Sequence, residues 1–371
     1  MGIMVGLPSP SGSEKDLQLN FGKNMTVQVE MRAPHLPAEW HMQSGIQLTW
    51  PHAGTDWAYM LAEVQECFVK IAKEIAEREL LLIVTPEPEE VKKQISAVVN
   101  MDNVRFLKCA TNDTWARDHG AITMIDTGNP SLLDFTFNGW GLKFASELDD
   151  KITKKAVEAG ALKGQYIDCL DFVLEGGSIE SDGMGTLLTT SECLLSPKRN
   201  GKLNQVEIEE YLKSTFHLQK VLWLDHGYLA GDDTDSHIDT LARFCSTDTI
   251  AYVKCTDEAD EHYEALLAME EQLKTFRTLA GEPYRLLALP MADKIEVDGE
   301  RLPATYANFL ILNEAVLYPT YNQPENDRRA GEVLQQAFPK HQIIGIDCRA
   351  LIKQHGSLHC VTMQYPMGVL K

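Results

Sequence analysis

Between residues 57 and 75, apolar side chains recur every three or four positions, at Trp57, Leu61, Val64, Phe68, Ile71 and Ile75, with Thr55 or Asp56 placed to cap the stretch. That period lays one apolar stripe along a helix and predicts one there. Weaker helical periods predict five further helices over 89–99, 152–158, 203–216, 257–280 and 324–338, with Gly160 and Gly281 as C-terminal stops. A short apolar run follows each of the five, over 104–109, 166–170, 220–224, 285–289 and 342–346. Their length and boundaries are those of buried strands.

After each strand come two β-like runs joined by turn residues. Runs 121–125 and 132–137 flank a turn at 126–130, and runs 178–181 and 186–190 flank Asp182-Gly-Met-Gly185. Runs 238–244 and 249–253 flank Ser246-Thr-Asp248, and runs 307–312 and 315–318 flank Asn313-Glu314. A last run, 360–364, lacks its second half. Helix, strand and hairpin thus recur five times. A unit that cannot bury its apolar face alone must stack on its siblings. The truncated last copy predicts that the units close into a ring, with an N-terminal strand such as 46–50 completing it; the alternative is an open α/β sheet. No linker or low-complexity tract divides 40–371, so residues 36–371 read as one domain, and 1–35 as a poorly ordered leader.

Polar residues fall at one place in every copy, the start of the hairpin. They are Asp118 in Trp115-Ala-Arg-Asp-His-Gly120, Glu175 before Gly176-Gly177, His237 and Asp239, then Asn308, and finally His359-Cys360. In a ring, equivalent positions converge on the axis, which would gather two aspartates, a glutamate, a histidine, an asparagine and a cysteine in one pocket. Taken singly, each has a plainer reading: Cys360 as a small core residue, Arg117-Asp118 as an ion pair, Glu175-Gly-Gly as a turn. Five copies offering such groups at one position are poorly explained by packing.

Composition narrows the chemistry. With 34 Lys+Arg against 54 Asp+Glu the net charge is −20, which argues against nucleic acid and anionic membrane partners and favours a cationic one. A hydrophobic content of 44% fills a core and excludes intrinsic disorder. The densest apolar run, 80–84, is far too short to span a membrane, and the N-terminus lacks the apolar run of a signal peptide. Eight cysteines without a Cys-x-x-Cys pair read as reduced thiols of a cytoplasmic protein.

Phosphate-binding loops, the Gly-x-Ser-x-Gly elbow and a dinucleotide fingerprint are absent, so nucleotide cofactors and serine hydrolysis drop out. A calcium loop from Asp233 would need Gly and Glu where Ile238 and Phe244 stand. A zinc hydrolase using His237, Asp239 and His359 lacks a dense ligand pair. A protease oxyanion needs hydrogen-bond donors, whereas this set is rich in acceptors. Acceptors suit a cation, and a planar guanidinium matches carboxylates through paired N–H groups. The set therefore points to a thiol attacking a guanidinium carbon.

The motifs Trp115-Ala-Arg-Asp118-His-Gly120, Glu175-Gly-Gly-Ser-Ile-Glu-Ser-Asp-Gly183, Gly231-Asp-Asp-Thr-Asp-Ser-His237-Ile-Asp239 and Gly356-Ser-Leu-His-Cys360 resemble the agmatine deiminase family, which takes in Porphyromonas-type peptidylarginine deiminases. Leu36-Pro-Ala-Glu-Trp40 and Trp50-Pro51 resemble its start. The resemblance implies the five-bladed α/β propeller, or pentein, of guanidine-modifying enzymes, acting without metal or cofactor. It implies Cys360 as nucleophile, His237 as general acid and base, Asp118 and Asp239 as guanidinium clamp, and Glu175 as the group orienting His237 and substrate. Trp115 would shape the pocket; Asn308 joins the substrate-binding set from its place in the repeat. Ala121 and Ser236 depart from the proline and glycine common there, and the loop before Cys360 is less glycine-rich than in plant-type enzymes. The expected reaction is agmatine to N-carbamoylputrescine and ammonia, on the way to putrescine. Peptidyl or free arginine is the alternative substrate, and a non-catalytic pentein binding protein a more distant one. An agmatine pocket would end in acidic or aromatic groups, an arginine pocket in a basic one. A homo-oligomer is left open.

Overall fold

A computed structural model describes residues 34–126 and 129–371; the leader expected at 1–35 and the tip of the turn at 126–130 lie almost wholly outside the described residues. The predicted first helix forms over Leu61–Ala76, after a 3-10 turn at Asp56–Met60, and buries Val64, Phe68, Ile71 and Ile75 as its period requires. Each such side chain gains about 1.5–3 kcal/mol on burial. Helices Pro88–Ile95, Ile152–Glu158, Gln205–Phe216 and Pro324–Ala337 follow the prediction closely.

The helix expected over 257–280 is shorter, Tyr263–Thr275. Asp260 takes the backbone N–H of His262 and spends the preceding residues on a turn. Beyond Thr275 the chain makes a bridge between Arg277 and Pro283. Gly281, at φ +86, sits in that tight turn rather than stopping the helix.

Strands β1 (Gln43–Thr49), β2 (Leu80–Thr85) and β3 (Val104–Lys108) run parallel. β2 is the apolar run weighed above only as a membrane span; it is the buried middle strand of the first sheet, and the helix–strand pattern had skipped it. Next come β4 (Ile122–Asp126), β5 (Asn129–Thr136) and β6 (Gln165–Val173). After them stand β7 (Ile179–Ser181), β8 (Thr186–Thr190) and β9 (Lys220–Leu224). A third set is β10 (Ala242–Ser246), β11 (Thr249–Lys254) and β12 (Arg285–Pro290). A small outlying hairpin, β13 (Glu296–Val297) with β14 (Glu300–Arg301), precedes the fourth set, β15 (Leu310–Ile311), β16 (Ala315–Thr320) and β17 (Gln342–Asp347).

Every one of these three-stranded sheets has the same plan: an antiparallel hairpin whose second strand pairs in parallel with the strand arriving after the next helix. The last strand, β18 (Thr362–Pro366), pairs antiparallel with β1, Ile46 opposite Gln364. The C-terminal half-hairpin is thus completed by the N-terminal strand, and the first and last copies form one sheet, β18-β1-β2-β3. Five α/β blades of a propeller result, as the repeat predicts. No helix among the described residues is long and apolar enough to cross a membrane.

Candidate active site

The five hairpin starts meet. Cys360 lies just before β18, in a loop that crosses the indole of Trp115 so closely that a Cβ on Gly356 would stand 2.1 Å from the ring. Asn308, ahead of β15, receives that loop: its Oδ1 accepts the backbone N–H of His359 at 2.8 Å and of Cys360 at 3.3 Å, and faces the Cys360 Sγ at 3.4 Å. Its Nδ2 donates to the carbonyl of Asp239 at 3.3 Å. Asn308 was expected among the substrate-binding residues; within the protein its side chain grips the loop that carries Cys360.

Asp118, on the short turn Ala116–His119 before β4, accepts from Gly177 N at 3.1 Å and from Trp140 Nε1 at 3.0 Å. Its Oδ1 is 3.7 Å from His237 Nδ1. Arg117 does not pair with it; that guanidinium turns the other way, to Gln364 and Met363. Burial, which His237 only partly offsets, raises the Asp118 carboxyl to about 6.

His237 follows two left-handed residues, Asp235 (φ 65) and Ser236 (φ 60), which explains why a glycine would suit position 236. Asp232 staples this loop by accepting from the Thr234 hydroxyl at 2.6 Å and from Ser236 N at 2.8 Å. Neither ring nitrogen of His237 has a hydrogen-bond partner. Burial opposes its charge, but Asp118, the Cys193 thiol and Glu175 outweigh it and lift His237 to about 10.

Glu175 is fully buried, and Arg199 Nε reaches its two oxygens at 2.9 and 3.0 Å. The same guanidinium donates to Asp235 Oδ2 at 2.6 Å and to the Thr234 carbonyl at 2.7 Å, so Arg199 ties Glu175 to the loop that carries His237. Asp239 offers Oδ2 to His359 Nδ1 at 2.7 Å and lies 3.9 Å from Cys360 Sγ, while its Oδ1 is buried without a partner. Burial alone would raise this carboxyl; His359, His237 and Arg243 together hold it below the usual range. Gly177 backs onto three of these groups. A Cβ there would stand 2.6 Å from His237 Nδ1, 2.8 Å from Asp118 Oδ1 and 3.3 Å from Asp239 Oδ2. Burial, then Asp239 and Asp118, push the Cys360 thiol well above its ordinary value.

A cavity opens from Cys360 and Asp118, walled by Trp115, Trp140 and Phe144. Asp56, Asp113 and Asp233 line it too, and no lysine or arginine does. Asp113 accepts from Trp115 Nε1 at 3.1 Å through one oxygen; the other is buried and unpaired. Burial and the neighbouring Asp56 raise its carboxyl to about 7.

Several of these residues escaped the sequence reading. Asp113 stands two positions before Trp115, within reach of the motif. Trp140 sits in a run of four left-handed residues, Gly139 to Leu142, that aims its indole at Asp118; only Gly-Trp-Gly hinted at it. Arg199 carries no local signal, and Glu39, inside the Leu36-Pro-Ala-Glu-Trp40 motif, was given no role there. Two buried donor sets have ligating atoms within 4.8 Å of one another, Glu175–Cys193–His237 and Glu39–Glu180–His359. In the first, Arg199 takes both Glu175 oxygens; in the second, Arg243 pairs with both glutamates. Each set is thus built as the anionic half of an arginine pair.

The Porphyromonas-type peptidyl-arginine deiminase family model matches residues 35–366. A Marinomonas sp. (strain MWYL1) protein, provisionally named an agmatine deiminase, is 32% identical over 354 residues, 89% of this chain and 94% of its own length. A solved Porphyromonas gingivalis structure, provisionally named an arginine deiminase, is 50% identical with a TM-score of 0.86, covering 91% of this chain and all of its own. A C. jejuni agmatine deiminase, solved with a Cys-to-Ser substitution and substrate bound, is 40% identical with a TM-score of 0.84, over 94% of this chain and all of its own.

Proposed function

The chain belongs to the family of Porphyromonas-type peptidyl-arginine deiminases, and from that premise we propose that it is an agmatine deiminase, hydrolysing agmatine to N-carbamoylputrescine and ammonia. The observation that carries the choice of substrate is the cavity above Cys360: four aspartates, Asp118 included, and three aromatic rings, with no lysine or arginine and a single histidine, His355, among its lining residues. Agmatine ends in an ammonium group, for which the unpaired oxygen of Asp113 is a ready acceptor. The carboxylate of free arginine would meet like charge there. The names of the 32% and 40% identical relatives favour the same substrate.

Asp118 and Asp239 grip the guanidinium from two sides and hold it planar. The bound cation offsets the field of these carboxylates, so the Cys360 thiol ionises once substrate is in place and gives up its proton to solvent. Sγ then bonds to the guanidinium carbon. His237, charged at neutral pH, donates its proton to one –NH₂ as the C–N bond breaks, and ammonia leaves a thiouronium adduct. The now neutral His237 takes a proton from water, whose oxygen bonds to the same carbon; the C–S bond breaks and the ureido product is released. Glu175, neutralised by Arg199, sets the position of His237. Residues 36–371 serve as one catalytic domain, supported by the pairing of β1 with β18, and the eight free, buried cysteines suit the cytoplasm.

Ammonia release from agmatine, arginine and a peptide ending in arginine, compared side by side, tests the substrate; a preference for either arginine compound rejects agmatine. The pH profile should be bell-shaped. kcat/KM is expected to fall as pH drops through about 6, where Asp118 takes up a proton and loses its charge, and again near 10, where His237 loses its own. The acid limb of kcat should lie lower, because bound cation favours the ionised carboxylate.

Asp113→Asn should raise KM for agmatine by about 10–100-fold, the worth of one charge-assisted hydrogen bond, with kcat nearly unchanged. The same variant should melt at a higher temperature at pH 8. A carboxyl raised to about 7 favours the fold while protonated, and that favour is lost as pH rises through 7. Steady-state kinetics and thermal melts on one preparation check both.

A further inference from the structure

Behind the clamp lies a buried chain of three groups that the mechanism above leaves unused. His359 Nδ1 meets Asp239 Oδ2 at 2.7 Å, and its Nε2 meets Glu39 Oε2 at 2.9 Å. Glu39 is 8% exposed, His359 1% and Asp239 0%. Glu39 belongs to the segment before β1 and His359 to the loop before β18, both of one blade, and Asp239 to the turn before β10 of another, so two blades contribute. A neutral imidazole can donate from only one nitrogen. Two short contacts to carboxylate oxygens need two protons, shared over three groups.

Arg243 decides where they sit. It pairs with Glu39 and with Glu180 and donates to the Phe309 carbonyl at 2.6 Å, which anchors Glu39 as an ionised acceptor. Ile311 N adds a further donor to Glu39 at 2.7 Å. With Glu39 and Asp239 both held below the usual carboxylate range, the ring is left to donate on both sides, although burial and the Arg117 and Arg243 guanidinium groups oppose its charge. On the clamp side this pins one oxygen of Asp239 and leaves Oδ1 buried, unpartnered and free for a ligand N–H.

We infer that His359 is a positioning residue for the deimination: anchored by Glu39, it fixes Asp239 so that the free carboxylate oxygen faces the substrate guanidinium, and it keeps that carboxylate ionised. The inference rests on the agmatine deiminase reading for its substrate. The other charged groups around the chain are Arg117, Arg243, Glu180, Glu79, His237 and Asp118. They remain in place in the variants below.

Asparagine places an N–H near the Nδ1 of histidine, and glutamine near Nε2. His359→Asn therefore keeps the donor to Asp239, and His359→Gln loses it. The Gln variant is expected to raise KM by about 10–100-fold, as loss of an outer partner does at comparable sites, with kcat changed far less. The acid limb of its kcat/KM profile, set in the parent by Asp118, should move to higher pH, because fully buried Asp239 without its donor becomes the first carboxylate to take up a proton. The Asn variant should restore most of both.

Equal effects of Asn and Gln on KM, or a Gln variant with an unmoved acid limb, overturn the inference. If neither His359 variant folds, Glu39→Gln carries the test, with an upward-shifted acid limb expected and an unshifted one contrary. Calorimetric titration of agmatine into Cys360→Ser, with and without His359→Gln, separates the two readings. No binding by the single variant rejects agmatine as substrate. Binding by the single variant, undiminished in the double one, rejects only the role of His359.

Discussion

Ammonia release is expected to fall by at least about 10⁴-fold when Cys360 is replaced by alanine, with the fold and agmatine binding retained. Cys360 Sγ lies 3.9 Å from one clamp carboxylate and 3.4 Å from the Asn308 oxygen, and no other thiol lines the cavity. Cys193 is near His237 but fully buried. The loop should survive the substitution, because Asn308 holds it through the backbone N–H groups of residues 359 and 360 rather than through sulfur alone. Removing the thiol also leaves Asp118 and Asp239 untouched, so the cation keeps its clamp. The variant should therefore bind agmatine by calorimetry and yield no ammonia above background. Turnover within a hundredfold of the parent would mean that water attacks directly and that the covalent adduct is not on the path. Mass spectrometry of the parent enzyme, acid-quenched during turnover, should show the thiouronium adduct on the peptide containing Cys360.

The positions proposed for the clamp, the acid–base histidine and the nucleophile were legible because the fold repeats, and the family resemblance supplied their roles. A polar residue at the start of one hairpin says little. Asp118, Glu175, His237 with Asp239, Asn308 and Cys360, at the same place in five copies, converge once the ring closes, and β18 on β1 closes it. What the repeat does not encode is what arrives from outside that position. Arg199 neutralises Glu175 from the segment after β8, Trp140 reaches Asp118 from a strained loop after β5, and Glu39 stands before the first strand. These are tertiary contacts with no periodic signature. β2 escaped for the opposite reason: its continuous apolar run alternates with nothing, as a strand buried on both faces does not. Asn308 shows the limit of positional inference. Its place was read correctly, yet its amide serves the chain and the thiol.

Gly177→Ala is expected to be nearly as damaging as loss of the nucleophile, although the residue carries no functional group. Its backbone is not left-handed, so alanine brings no strain of that kind; the difficulty is space. The new methyl would stand 2.6 Å from His237 Nδ1 and 2.8 Å from Asp118 Oδ1, well inside van der Waals contact. Both neighbours are buried and packed, so neither yields without moving the acid–base group or the clamp. The methyl would also sit among Asp118, His237 and Asp239, where the guanidinium nitrogens must lie. A displacement of about 1 Å at a reacting centre costs on the order of 10²-fold, and losing one side of the clamp adds a charge-assisted hydrogen bond to that. Together they predict a fall in kcat/KM of about 10³-fold or more, with kcat and KM both affected. Pre-steady-state trapping should find little thiouronium on Cys360. Gly176→Ala should behave differently, because its Cβ would meet the Arg117 carbonyl at 2.3 Å and so strike the backbone of a neighbouring blade. That variant should lose more thermal stability than Gly177→Ala, whose clash is with side-chain ends rather than backbone and whose main failure is at chemistry. A Gly177→Ala enzyme with kcat/KM within tenfold of the parent would place the guanidinium elsewhere in the cavity and dissolve the two-sided clamp.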